Sequence, residues 1–213
     1  MRLITVAHRA GNSPVALREA LDAGVDLVEA DVHLFRGGLE VRHSYAVGRG
    51  LLWERGERPV RRRDLTPAEL ADVLAVAGDD PRLMLDLKGP GLSVAPRVAA
   101  MLRDRVPGSP LAVCTKQWRM LDAFAGDPHM RLVHSASNRF QLNQLRARVR
   151  REPGFGVSIR LQLLTRDVVA ELRRAVGVVM AWPVDTEPDL DRARSVGANG
   201  IISKNLAMLR ALR

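Results

Sequence analysis

Two carboxylates two residues apart sit inside an apolar strand pattern in Asp26-Leu27-Val28-Glu29-Ala30-Asp31-Val32-His33. Side chains alternate faces along a strand, so Glu29 and Asp31 point the same way, with Leu27 below them. Two acids on one face repel unless something cationic lies between them, and a hard divalent cation bound through oxygen is the economical partner. The same spacing also suits a strand emerging into solvent with two exposed acids, so the rest of the chain must decide. The pattern recurs at Asp86 and Lys88, again two apart on an apolar run, while His8 and Arg9 end a first run, His43 follows another and Trp182 ends a later one. Glu29, Asp31 and Asp86 could hold Mg²⁺ or Ca²⁺ through oxygen, Arg9 and Lys88 could neutralise a phosphate, and His8 and His43 could move protons. Each has a duller reading: Asp86 and Lys88 as a plain ion pair, His8 as a satisfied core histidine, Trp182 as a core plug. Their joint placement at strand ends argues against coincidence.

The elements that would position these residues alternate. Residues 3–7 read as a strand and 14–23 as a helix, with Ser13 as N-cap, Pro14 at its first position and Gly24 ending it. A strand over 26–34 is followed by Gly37-Gly38, which suits a tight turn, and by a short return strand over 39–42 that delivers His43. Residues 46–63 form a Gly- and Arg-rich stretch with no firm period, read as a loop, and Thr66-Pro67-Ala68-Glu69 carries a capping-box signature that predicts a helix start. Beyond it the pattern predicts strands over 82–87, 111–114, 131–134, 156–159, 178–182 and 200–202. Helices over 93–105, 117–124, 138–150, 166–176 and 188–196, and one from 206, separate and follow them. Eight strands, each followed by a helix or a helix-containing excursion, predict an α/β fold, a (β/α)₈ TIM barrel with a small hairpin and loop insertion after the second strand. A doubly wound open sheet is the alternative, but no Gly-x-Gly-x-x-Gly turn follows the first strand. In a barrel, chemistry sits at the carboxyl ends of the strands, where His8 and Arg9, Glu29 and Asp31, Asp86 and Lys88, and Trp182 fall, and the hairpin returns His43 toward them.

With 213 residues and 46% hydrophobic content, the chain can build one sizeable core, and no linker-like stretch divides it, so a single domain over 1–213 is expected. The apolar run before His8 is too short for a secretory signal and no stretch approaches membrane-spanning length, which predicts a soluble cytoplasmic protein with no transmembrane segment. Cys114 is the only cysteine, which fits a reducing compartment and a small core residue on a strand better than a nucleophile. The formal net charge of +9 invites a nucleic-acid partner, but the arginines are scattered, only Lys88, Lys116 and Lys204 are lysines, and the one dense run, Arg61-Arg62-Arg63, lacks interleaved aromatics. No nucleic-acid partner is expected; attraction to a small phosphate-bearing substrate is the consequence that remains.

These residues, taken in order, resemble the glycerophosphodiester phosphodiesterase family and, more broadly, the barrel phosphodiesterases that include the sphingomyelinase D-like enzymes. Ala7-His8-Arg9-Ala10-Gly11 is similar to the family's His-Arg-Gly opening, Glu29-Ala30-Asp31 to its Glu-x-Asp, Arg42-His43 to its second histidine and Asp86-Leu87-Lys88 to its acid-x-Lys. Trp182-Pro183-Val184-Asp185 and Gly197-Ala198-Asn199-Gly200-Ile201-Ile202 resemble its late Trp and last-strand elements. The chain departs from the pattern where Ala10 replaces glycine, where Asn12-Ser13-Pro14 stands for Pro-Glu-Asn-Thr, where Ser44 replaces an aspartate, and where Ser203-Lys204-Asn205 replaces Thr-Asp. Asp86 in place of glutamate is similar to the sphingomyelinase D-like branch.

The resemblance implies metal-dependent hydrolysis of a glycerophosphodiester to glycerol phosphate and an alcohol. The metal would sit on Glu29, Asp31 and Asp86, with Arg9 and Lys88 at the phosphate, His8 as base or nucleophile, His43 as acid and Trp182 in the substrate pocket. Two rivals remain: a phospholipase D-like action on choline-bearing lysolipids, and a barrel that binds a phosphate ligand without turnover.

Overall fold

Strands that are apolar on both faces must be covered on both, and this chain satisfies them by closing them on one another. The computed structural model describes residues 2–54, 58–64 and 66–213. In chain order the elements are β1 Ile4–Ala7, α1 Pro14–Asp22, β2 Leu27–Phe35, β3 Gly38–Val41, β4 Tyr45–Val47, β5 Leu51–Trp53, β6 Val60–Arg61, β7 Ala68–Glu69, α2 Leu70–Ala77 and β8 Leu83–Leu87. There follow α3 Val94–Arg105, β9 Ala112–Thr115, β10 Arg131–Ala136, α4 Arg139–Arg151, β11 Gly154–Arg160, α5 Arg166–Leu172, β12 Val176–Trp182, α6 Glu187–Ser195, β13 Gly200–Ser203 and α7 Leu206–Ala211. Strands β1, β2 and β8 to β13 pair in parallel in that order, and β13 pairs back onto β1 through Ile4 to Gly200 and Ala7 to Ser203. The ring is closed: a (β/α)₈ barrel with extra strands outside it.

Strand periodicity sorts the side chains. Val28, Ala30, Leu83, Leu85, Val113, Val157, Ile159 and Val179 pack outward against the helices. Val6, Leu27, Met84, Ala112, Cys114, Val133, Val178, Met180 and Ile202 form a separate apolar cluster inside the ring. The helices follow from equally local rules. In α4, Leu142, Leu145 and Val149 form the buried stripe, Asn138 caps the first turn by accepting from the Gln141 N–H at 2.9 Å, and Arg148, Arg150 and Arg151 meet the negative end of the dipole.

The insertion departs from the sequence reading in three places. The two-residue turn between β2 and β3 is Arg36-Gly37, with φ of 49° and 89°, because Phe35 pairs with Gly38 and so places Gly38 already in the strand. The stretch read as a loop forms a three-stranded antiparallel sheet, β4-β5-β6, whose strands of two or three residues are too short to show a period; residues 55–57 of that stretch lie outside the described residues. The capping box predicted at Thr66 is absent: Ala68 and Glu69 pair as β7 with β3, and the helix starts at Leu70 without a side-chain cap from Glu69. Two smaller corrections concern helices. Residues Trp118–Phe124 wind as a 3-10 helix, and α5 stops at Leu172 because Val176 already pairs in β12 with Gly154.

Candidate active site

The barrel's register brings the carboxylates together. Asp31 on β2 lies directly beside Asp86 on β8, and Glu29 stands two residues below Asp31 on the same inward face. One ligand oxygen from each of Glu29, Asp31 and Asp86 falls within 4.8 Å of the others, and Glu29 and Asp31 are buried. The alternative of two solvent-exposed acids is therefore excluded. The cation between them in this structure is Lys88, whose ammonium lies 2.9 Å from Asp31 Oδ1 and also pairs with Asp86.

Their titration follows from this packing. Burial, reinforced by the neighbouring Asp31 charge, pushes the Glu29 carboxyl well above its ordinary range. Burial would raise Asp31 too, but Lys88 and the hydrogen bond from Asn12 outweigh it and hold the carboxylate ionised. Burial raises Asp86 against the opposing pull of Lys88, and the three acids together hold Lys88 protonated despite its own burial. Asp86 Oδ1 is buried without a hydrogen-bond partner among the described residues, and Asp31 Oδ1 is buried with the Lys88 ammonium as its polar neighbour. A buried carboxylate oxygen without a donor, within 4.8 Å of oxygens from two further acids, is what a hard divalent cation satisfies, so the donor set fits Mg²⁺ or Ca²⁺.

The turn after β1 holds the second half of the site. Arg9 adopts a left-handed conformation (φ 63°, ψ 5°), an unfavourable choice for a residue with a Cβ, and its backbone N–H donates to Glu29 Oε2 at 2.6 Å. The short turn Ala10–Asn12 that follows lies flat on β2. A Cβ on Gly11 would come within 2.7 Å of the Ala30 Cβ and 2.9 Å of the Glu29 carbonyl oxygen, so only glycine permits that approach. It places Asn12 where its Oδ1 accepts from the Asp31 N–H at 2.7 Å and its Nδ2 donates to Asp31 Oδ2 at 2.9 Å. Asn12 thus fixes the orientation of Asp31, a role that reading the sequence did not assign.

His8, Arg9, His43, Lys88 and Trp182 line one cavity of about 100 Å³ together with Glu29 and Asp86. Every residue singled out from the sequence lies at this mouth, Asp31 just behind its wall. Burial and the Arg9 charge lower the His8 pKa to about 4, so its imidazole is neutral near pH 7. His43, delivered by β3, is lowered by burial, partly offset by Asp31 and Glu54. Glu54, immediately after β5, accepts from Arg9 Nη1 at 2.7 Å and faces His43 Nδ1 at 2.9 Å. Lys116 lines the same cavity, and its ammonium lies 4.8 Å from the Trp182 ring centroid. Glu54 gave no signal in the sequence. Lys116 did: it stands two residues beyond Cys114, on the inward parity of β9, as Lys88 stands two beyond Asp86.

No family model matches the chain, and no curated protein matches it in sequence. Solved structures match it along its whole length. A glycerophosphodiester phosphodiesterase from Thermotoga maritima aligns with a TM-score of 0.78 at 20% identity, covering 100% of this chain and 99% of that one. One from Parabacteroides distasonis aligns at 0.74 and 16% identity, covering 100% and 98%. A phosphodiesterase from Oleispira antarctica, solved with the product sn-glycerol-3-phosphate, aligns at 0.74 and 17% identity, covering 98% and 95%. The likeness is one of fold, and it agrees with the closed barrel that the sequence pattern predicts.

Proposed function

From that likeness of fold and the ordered motifs read from the sequence, we propose that the chain is a phosphoric diester hydrolase that cleaves a glycerophosphodiester to glycerol phosphate and an alcohol with the help of a divalent cation. The observation that carries the reading is the carboxylate triad of buried Glu29 and Asp31 and partly buried Asp86, gathered at one small cavity that His8 and His43 also line, at the carboxyl end of a parallel barrel. Glu29, Asp31 and Asp86 would hold Mg²⁺ or Ca²⁺; the bound ion supplies Lewis-acid stabilisation of the phosphoryl oxygens and of a neighbouring hydroxyl. Arg9 and Lys88 balance the charge that develops on the phosphate. His8, neutral at pH 7, suits the role of base or nucleophile. His43 donates its proton to the leaving alkoxide as the P–O bond breaks.

A specific contact bears on the leaving alcohol. A choline headgroup is commonly bound on an aromatic face, but the face of Trp182 already carries the Lys116 ammonium, which repels a second cation. This favours a neutral or anionic headgroup over the lysolipid reading. The product bound in the Oleispira structure, sn-glycerol-3-phosphate, is consistent with the glycerol side of the substrate. Among the described residues no helix is long and apolar enough to cross a membrane; a small diester met in water is the substrate proposed, in a cytoplasmic setting.

Turnover of glycerophosphodiesters with glycerol, inositol, ethanolamine and choline headgroups, and of lysolipids, with Mg²⁺, Ca²⁺ or chelator, tests this. Release of glycerol 3-phosphate in the presence of a cation is the expected result. A cyclic phosphate from lysolipids would favour the phospholipase D-like rival, and binding without turnover of any diester would leave a phosphate-binding barrel.

A further inference from the structure

We infer that Glu54, carried on the insertion rather than on the barrel, is the positioning residue for His43, and that it does this jointly with Arg9; the inference rests on the proposed acid role of His43. The hydrogen-bond inventory of the ring assigns its state. A guanidinium only donates, so the contact between Arg9 Nη2 and His43 Nε2 makes Nε2 an acceptor. Nδ1 must then carry the proton, and it faces Glu54 Oε1 at 2.9 Å, the same oxygen that accepts from Arg9 Nη1 at 2.7 Å. Glu54, Arg9 and His43 thus form a closed triangle of contacts in which the carboxylate sits at ion-pair distance from the nitrogen remote from the chemistry, without a formed hydrogen bond to it. A carboxylate so placed favours the cationic form of the ring and, once Nδ1–H turns onto it, holds the ring's orientation, as a carboxylate beside a working histidine does.

The triangle also gives a resting state and a loaded one. While Arg9 donates to Nε2, that nitrogen cannot hold the proton a general acid needs. A phosphodiester anion attracts the Arg9 guanidinium, leaving Nε2 free to be protonated, with Glu54 now balancing an imidazolium alone. The residues that face the ring are Arg9, Glu54 and Tyr45, with Asp31 and Lys88 acting on it through space. Of the two carboxylates only Glu54 touches it.

Glu54→Gln keeps an acceptor at this position and removes the charge. It should lower kcat on an alkyl diester by roughly 10–100-fold, lower it less on a p-nitrophenyl diester whose leaving group needs little protonation, and move the alkaline limb of the pH profile to lower pH. Glu54→Asp should recover part of each. An NMR titration of the His43 ring, assigned with His43→Ala, should show its pKa falling in Glu54→Gln, and this readout does not need turnover. Unchanged kcat with an unchanged His43 titration overturns the inference. Equal losses on both substrates with the pH limb unmoved overturn it too, since Glu54 would then only brace the insertion. If the wild type cleaves no diester, the proposed activity fails, and the NMR titration still decides whether Glu54 sets the state of His43.

Discussion

The barrel wall and the insertion between β3 and β7 contribute to the same cavity by opposite means. In the wall, the parallel register places Asp31 beside Asp86, and residues such as Leu85 and Val113, none of them accessible, lock the strands from behind. In the insertion, β4 to β6 are two or three residues long, and Tyr45, Val47, Leu51 and Trp53 keep a third or more of their surface in solvent. The wall can therefore present charges that repel one another, because packing energy holds them in place. The insertion presents Glu54, whose position depends mainly on ion pairs with Arg9 and His43. Rigid elements carry the groups whose spacing matters most, and a loosely packed excursion carries the group that adjusts them.

The sharpest test of the wall is its acids. Glu29→Gln or Asp31→Asn should reduce turnover by about 10³-fold or more, measured with added Mg²⁺ or Ca²⁺, because one oxygen charge is lost from a hard-cation site. Full wild-type activity in excess chelator would remove the metal from the account. The same Glu29→Gln change should raise the melting temperature of cation-free protein at neutral pH. Ionising Glu29 is disfavoured only in the folded chain, so wild-type stability is complete below the ordinary glutamate range and falls as pH rises toward the raised native value; glutamine abolishes that decline.

Next in size is His43, which β3 delivers and the insertion holds. His43→Ala should lower kcat on an alkyl diester by roughly 10²–10⁴-fold, leave cation affinity almost unchanged, and recover much of the rate on a p-nitrophenyl diester. Equal impairment on both substrates would reassign it to positioning. Stability separates the two regions directly. Leu85→Ala, inside the wall, should cost about 2–5 kcal/mol in a denaturant titration, whereas Leu51→Ala, on the insertion's outer face, should stay within about 0.5 kcal/mol. Comparable losses would mean the insertion is as tightly packed as the barrel. The smallest effect is expected from Lys116→Met, which should improve the kcat/KM of a choline diester relative to a glycerol diester by roughly 10-fold, the scale of one cation–π contact. A fixed ratio would detach Lys116 from headgroup choice.

What the sequence made legible follows the same division. The alternation of strands and helices, the inward parity of Glu29 and Asp31, and the recurrence at Asp86 and Lys88 all derive from a period-two rule that survives without coordinates. Lys116 obeys that rule on β9 and was within reach of it. The insertion obeys no such rule, because pairings as short as Leu51 to Arg61 and Leu52 to Val60 leave no periodic trace. Glu54 reaches His43 only through that fold, and Ala68-Glu69, which looked like a helix start, were drawn into β7 by pairing with β3. Asn12 was visible as a residue but not as a partner, since its contact with Asp31 depends on how closely Gly11 lets the chain approach β2.

Beneath the carboxylates, Val6, Leu27, Met84, Cys114, Met180 and Ile202 plug the barrel with apolar side chains. A cavity with such a floor is a cul-de-sac, and everything that reaches it must pass the open end where the insertion stands. Under the proposed reaction this imposes an order of departure. The alcohol lies nearer the entrance and leaves first, and the phosphate-bearing product, seated against the acids, leaves last. The last product to go is the one that meets the free enzyme, so glycerol phosphate competes with fresh substrate for the same doorway, while the alcohol does not.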